Sequence, residues 1–293
     1  MKKLILITLL IWGCDTTEPE QEPLTYEIIE SVDDFGLTWN FIPTSRFTWG
    51  SDNQEENIDY DYWILKYKVT ILQFIEFLNA QPDASLQLTA EGIYGNYIPD
   101  STDTIFEEGN YLFYQFIDST SYYNYGLITW DGDIYISDDY YNNHPVVNVT
   151  WFGANAFANY YNYELPDEYE WEKAARGDTG YDYPWGGTYG DDISLYSNYF
   201  NSGDSFDNGT TPIDYFISDS ISNESPYGVI DMAGNTYEWT NSWFDLVSGK
   251  TVRTQRGGSW KSPTYTLRSW NRYYSEPNVG SPRFGFRLSK ISN

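Results

Sequence analysis

The chain has 293 residues but only one cysteine, Cys14, and one histidine, His144. A single thiol cannot close an intramolecular disulfide, and a zinc site of the Cys/His kind needs three or four such ligands. The two-histidine facial triad of non-haem iron enzymes fails on the same count. Basic residues are also scarce: 16 Lys and Arg stand against 43 Asp and Glu, a formal net charge of −27. A nucleic acid would meet like-charge repulsion with no basic patch to offset it, so it is excluded as a partner. The apolar run at residues 4–12 is too short for a mature membrane-spanning helix, which needs about 20 residues.

Aromatic residues, by contrast, are abundant, with 12 Trp, 29 Tyr and 16 Phe. That is far too many for a solvated coil. A chain of this length suits one large domain carrying an insertion, with a core that needs no staples.

The N-terminus reads as an address. Met1-Lys2-Lys3 is positive, residues 4–12 are apolar, and Gly13-Cys14 follows. This fits a secretory signal peptide over residues 1–13. A small residue before a cysteine resembles the lipobox of bacterial lipoproteins, which implies lipidation at Cys14, although Trp12 departs from the small or β-branched residue usual there. The implied location is the bacterial cell envelope, at the periplasmic face or the cell surface, with the membrane touched through the lipid anchor only. Residues 14–34 read as an acidic tether; its DTTEPEQEP stretch has no apolar residue to pack. The domain is expected over residues 35–293.

Within it, residues 37–51 alternate apolar side chains around Pro43, which predicts a strand pair. Thr70-x-x-Gln73 is a capping-box signature ahead of helically spaced Ile71, Leu72, Phe74, Ile75 and Leu78. A second helix is predicted from Thr150, and a third from Asp167-x-x-Glu170, with Arg176 in its last turn and Gly177 to stop it. Residues 81–143 are rich in Tyr, Asp, Ser and Asn and read as an elaboration, with strands at 111–116 and 126–136 forming a hairpin and Asp131-Gly132 as a turn. The C-terminal half loses helical periodicity and predicts short strands and ordered loops. The fold class is α+β.

Four segments then combine in order: residues 145–151 (PVVNVTW), 165–177 (LPDEYEWEKAARG), 227–239 (YGVIDMAGNTYEW) and 256–260 (RGGSW), closed by 284–287 (FGFR). Together they resemble the formylglycine-generating enzyme (sulfatase-modifying factor) family over about residues 35–290. The resemblance implies that family's irregular α+β domain, a relative of the C-type lectin fold. Arg256, Arg272 and Arg287 are expected to reach carboxylates or carbonyls that loops leave unpaired.

Enzymes of the family oxidise a substrate cysteine with oxygen and a copper ion held by two cysteines. Here Ser262 and Leu267 lie near the thiol positions, and a hydroxyl and an alkyl group cannot hold monovalent copper. Neither Met1 nor Met232 restores a soft site, and the sulfoxide-synthesising relatives need several histidines where this chain has His144 alone. No copper, iron or zinc is expected, and no catalytic residue.

Calcium takes oxygen ligands instead. The resemblance implies one calcium site at Asp231, Gly234, Thr236 and Glu238, and a second at Asn198 and Tyr199 with Asp207 nearby. It also places Trp260, Lys261, Tyr265, Trp270, Asn271, Arg272, Tyr273 and Tyr274 along a surface cleft, where aromatic faces beside amide and charged groups suit a protein or glycan ligand; Trp260 reads better as framework. The leading expectation is a non-enzymatic, lipid-anchored envelope protein that binds a partner or serves an envelope assembly; the rival is an oxidoreductase acting on protein cysteine.

Overall fold

Side-chain caps start each of the three α-helices among the described residues. The computed structural model describes residues 26–82, 85–100, 103, 105–116, 128–187, 190–206, 208–218, 220–244 and 251–292. In chain order, β1 (Glu30–Val32), β2 (Thr38–Ile42), β3 (Ser45–Trp49), β4 (Gln54–Ile58) and β5 (Tyr62–Leu65) lead to α1 (Ile71–Asn79). Then come β6 (Leu86–Leu88), β7 (Gly92–Tyr97), β8 (Gly109–Gln115), β9 (Thr129–Trp130), β10 (Tyr135–Ile136), α2 (Trp151–Tyr160) and α3 (Glu168–Arg176). The last part holds β11 (Tyr237–Trp243), β12 (Arg253–Arg256), β13 (Arg272–Ser275), β14 (Phe284–Phe286) and β15 (Ser289–Ile291).

Thr70 caps α1 and Asp167 caps α3, each in a reciprocal capping box with Gln73 and Glu170, and Thr150 caps α2. Each cap satisfies N–H groups that the first helical turn leaves without partners. All three helices therefore start where their motifs predict. The strand pair at 37–51 is different: β2 pairs with β1 and β5, whereas β3 pairs with β4. Pro43 lies between them, and with no N–H it suits a corner that hands the chain from one sheet to the next.

The second expected hairpin also rearranges. β8 pairs with β7, and the Asp131-Gly132 turn closes the smaller pair β9–β10 by itself. The Asp131 carboxylate accepts from the N–H groups of Asp133 and Ile134, which sets that turn. Ile93, Tyr97, Phe113, Tyr114, Ile128 and Tyr135 carry this elaboration into the main core beside Phe74, Phe157, Trp239 and Phe286.

The packed domain begins earlier than residue 35. β1 lies along β2, and the Asp33 carboxylate accepts from the Trp39 indole and the Tyr163 hydroxyl. The expected tether thus gives up residues 26–34 to the fold. Residues 1–25, with Cys14, lie outside the described residues.

Two sheets position the candidate sites. The N-terminal one has the order β1-β2-β5-β15, and the C-terminal one β13-β12-β11-β14. β11 and β14 run parallel, with Glu238 opposite Gly285. α3 lies between β3 and β12 and carries three buried acids, Glu168, Glu170 and Glu172.

Candidate functional site

The loop before β11 docks on the segment that leads into α1, through the Ile230 N–H to the Lys66 carbonyl at 2.9 Å. Asp231, Gly234 and Asn235 all have positive φ, a region that Asp, Asn and Gly tolerate best. At Gly234 a side chain would run into the Ser197 hydroxyl and the Asn198 carbonyl, so only glycine fits there. Asn235 is the hub of the loop. Its side chain exchanges two hydrogen bonds with the Thr211 backbone and donates to the Asp231 carboxylate at 2.9 Å.

Glu238, at the start of β11, is buried among cations. One carboxylate oxygen accepts from Lys68 Nζ at 2.6 Å and from Arg287 at 3.0 Å. The other accepts from Arg287 Nε at 2.6 Å and from Trp171 Nε1 at 2.9 Å. Burial alone would raise its pKa, but Arg287 and Lys68 overcome that and hold it down at about 2. Asp231 goes the other way. Burial pushes it up to about 7, and Lys68, at 4.0 Å, and Asn235 offset this only in part.

These are the residues that the resemblance nominates for calcium, and as folded they do not fit it. A carboxylate offers about four acceptor sites, and Glu238 has four donors on it. A divalent ion would also have to displace or face two cations of the chain itself. Among the described residues, no group of three or more His, Cys, Asp or Glu is arranged to hold a metal ion. In this arrangement the loop of Asp231, Gly234, Thr236 and Glu238 is closed by hydrogen bonds and an internal ion-pair cluster.

The Asn198 and Tyr199 pair has its own local partners. Asn198 Nδ2 donates to the Gly209 carbonyl at 2.9 Å, which leaves the amide oxygen as its donor toward a metal, and the Tyr199 carbonyl accepts from Ser202 N–H at 3.1 Å. Asp207 lies outside the described residues.

At the two positions that resemble the copper thiols, Ser262 and Leu267 are both buried. The Ser262 hydroxyl accepts from the Ser259 N–H at 3.0 Å and donates to the Tyr237 hydroxyl at 3.3 Å, closing the turn after β12. Leu267 packs with Tyr183, Ile193 and Ala233, and it lies against Gly258, whose positive φ and lack of a side chain let it approach. His144 is also buried, with Nδ1 2.9 Å from the Thr210 hydroxyl, and burial lowers its pKa to about 4.

Residues 270–273 do not form one open patch. The Trp270 indole donates to Asp182 at 2.8 Å and is covered by the Arg268 guanidinium. Asn271 closes a turn onto the Arg268 carbonyl, and Arg272 forks onto Glu168 with two 2.6 Å bonds. Tyr273 stacks on Tyr237 at 4.7 Å and continues to Tyr274, which meets Phe244 at 4.4 Å. An aromatic ridge therefore runs along the edge strand β13, with Tyr273 36% and Tyr274 48% exposed. Trp260 is framework, its indole donating to the Pro282 carbonyl. The three arginines reach carboxylates as expected: Arg256 to Glu172, Arg272 to Glu168 and Arg287 to Glu238.

Lys68 and Phe244 are among the residues whose parts in these arrangements the sequence reading missed, as are Trp171, Asp182 and Thr211. Lys68 stands two residues before the Thr70 capping box, and its one signal is that Val69 and the helix's apolar face follow it directly.

A family model described as "Sulfatase-modifying factor enzyme 1-like domain" matches residues 40–291. The serine/threonine-protein kinase pkn1 of Chlamydia caviae is 35% identical over 167 residues, 51% of this chain and 24% of that protein. The inactive C-alpha-formylglycine-generating enzyme 2 of Mus musculus is 34% identical over 155 residues, 50% of this chain and 48% of that protein. The chain thus spans about a quarter to a half of the length of these curated relatives. Among solved structures, PvdO from Pseudomonas aeruginosa aligns with a TM-score of 0.61 at 17% identity, covering 90% of this chain and 98% of that one, a likeness of fold.

Proposed function

The chain belongs to the sulfatase-modifying-factor family, and from that premise we propose a non-enzymatic member: a lipid-anchored protein of the bacterial cell envelope that binds a protein or glycan partner or serves an envelope assembly. The observation that carries the non-enzymatic half is the pair Ser262 and Leu267. One is a hydroxyl held in a turn and the other an alkyl group in the core, so neither offers the thiolate that monovalent copper requires. A mouse relative that bears the word inactive in its name supports the same reading.

The ridge of Tyr273, Tyr274 and Phe244 on β13 is the surface best suited to a partner. It offers aromatic faces beside the Arg272–Glu168 pair, on a strand whose outer edge has no neighbour among the described strands. Calcium at Asn198 and Tyr199 belongs to this proposal as a structural ion. Lipid attachment rests on the Gly13-Cys14 pattern; no helix among the described residues is long and apolar enough to cross a membrane.

The test has two arms. Incubated with copper, oxygen and a sulfatase-type cysteine peptide, the mature protein should form no aldehyde; aldehyde formation would establish the rival oxidoreductase. Cys14→Ala should leave the precursor uncleaved or release the protein from the membrane fraction, and unchanged detergent partitioning would sink the anchor. Pull-down from intact envelope, with Tyr273→Ala/Tyr274→Ala as the comparison, then identifies the partner.

A further inference from the structure

We infer that the Lys68 ammonium fills, from within the chain, the place a divalent cation would need at the loop before β11, and that shortening Lys68 opens a calcium site there. Lys68 Nζ lies 2.6 Å from Glu238 Oε1, 3.1 Å from the Thr236 carbonyl oxygen and 4.0 Å from Asp231 Oδ2. Two carboxylates and a carbonyl thus converge on one nitrogen, and its side chain has no exposed surface. Hard oxygens of this kind suit calcium, which sits at about 2.3–2.6 Å from its ligands, only slightly closer than an ammonium.

Charge explains why the two cations exclude each other. Lys68 and Arg287 balance Asp231 and Glu238 when both acids are ionised. A divalent ion added to that set would leave two positive charges unbalanced in a buried place, where such charge is costly. Without Lys68 the same oxygens carry a net negative charge. Asp231 Oδ1, on the carboxylate that faces Lys68, is buried and makes no hydrogen bond. The cage itself does not depend on the ammonium for its shape. Asn235 holds the loop, and the backbone on either side of Lys68 is tied down by Ile230 N–H to the Lys66 carbonyl and Val69 N–H to the Phe286 carbonyl.

The experiment uses the full chain, with terbium as a luminescent stand-in for calcium. Trp171 donates to Glu238, so an ion bound at that carboxylate would be excited through its indole. In the wild type, neither terbium emission nor calcium uptake should change on Asp231→Asn, whatever binds elsewhere. Lys68→Ala should take up one more calcium per chain than the wild type, with a melting temperature that calcium raises, and Lys68→Ala/Asp231→Asn should lose both gains. Lys68→Met, which keeps the volume and removes the charge, should be destabilised without calcium rescue. Wild-type uptake that Asp231→Asn abolishes would overturn the inference, as would a folded Lys68→Ala with no added site. Should Lys68→Ala fail to fold even in calcium, no site has opened and the inference falls on that half as well.

Discussion

Glu238 accepts four hydrogen bonds from three side chains, and the consequence of altering it follows from what would be left behind. Glu238→Gln removes the one carboxylate that both Lys68 and Arg287 contact, leaving two buried cations with only Asp231 nearby. Breaking a buried pair in this way costs about 3–5 kcal/mol. Urea unfolding should therefore show a midpoint far below that of the wild type, and a loss under about 1 kcal/mol would mean that the cluster is better solvated than its burial implies. His144 supplies a pH effect. Its folded pKa, about 4, lies below the ordinary 6.5, because burial penalises the imidazolium. Between those values the unfolded chain binds the extra proton, so stability is complete above about pH 6.5 and falls as the pH drops toward 4. The full effect is of order 3 kcal/mol. His144→Asn should flatten this part of the stability–pH curve; parallel curves for the two proteins would refute it.

Helix α3 shows how far an element can be understood from its own residues. Its N-cap and its stop at Gly177 are local and readable, so Asp167→Ala should cost about 1 kcal/mol, within the usual 0.5–2 kcal/mol for a lost cap. Guanidinium denaturation would measure that loss, and a neutral result would show that Glu170 alone holds the first turn. The partners of its acids are not local. Glu172 meets Arg176 one turn on, but also Arg256 on β12 and the Gly50 N–H after β3. Strand partners follow the same division. Alternation marked β2 and β3 as strands, yet sent them to the wrong partner, because pairing depends on which edge is open when the chain arrives, and here β5 and β4 supply those edges.

At the scale of the whole molecule the charge is unevenly divided. Lys68, Lys173, Arg176, Arg253, Arg256 and Arg287 are all buried, six of the chain's 16 basic residues. Five acids, Glu168, Glu170, Glu172, Asp231 and Glu238, are buried with them, so this set is nearly neutral and the chain's large negative net charge is carried by the other residues. Self-repulsion of that size destabilises the compact state and is screened by salt, whereas the buried pairs are screened much less. The melting temperature should rise as sodium chloride is raised from a few millimolar to about 0.5 M, over which the Debye length falls well below 10 Å. A fall would place the dominant electrostatics in the exposed pairs, such as Arg46–Glu55, instead.

Features that depend on composition, spacing and neighbours along the chain can be read from the residues alone. The three helices and their caps, the Asp131-Gly132 turn, the absence of thiols at 262 and 267 and the family segments were all legible, because each is a matter of residues a few positions apart. Tertiary structure decided what depends on residues brought together from far along the chain. Lys68 lies 170 positions from Glu238, and nothing near it in sequence shows that its ammonium ends between two carboxylates. The same motif that reads as an oxygen cage for a metal thus becomes, once folded, a cage closed around the chain's own cation. A set of ligands can be named from a motif; what already occupies them is settled only when distant segments compete for the same oxygens.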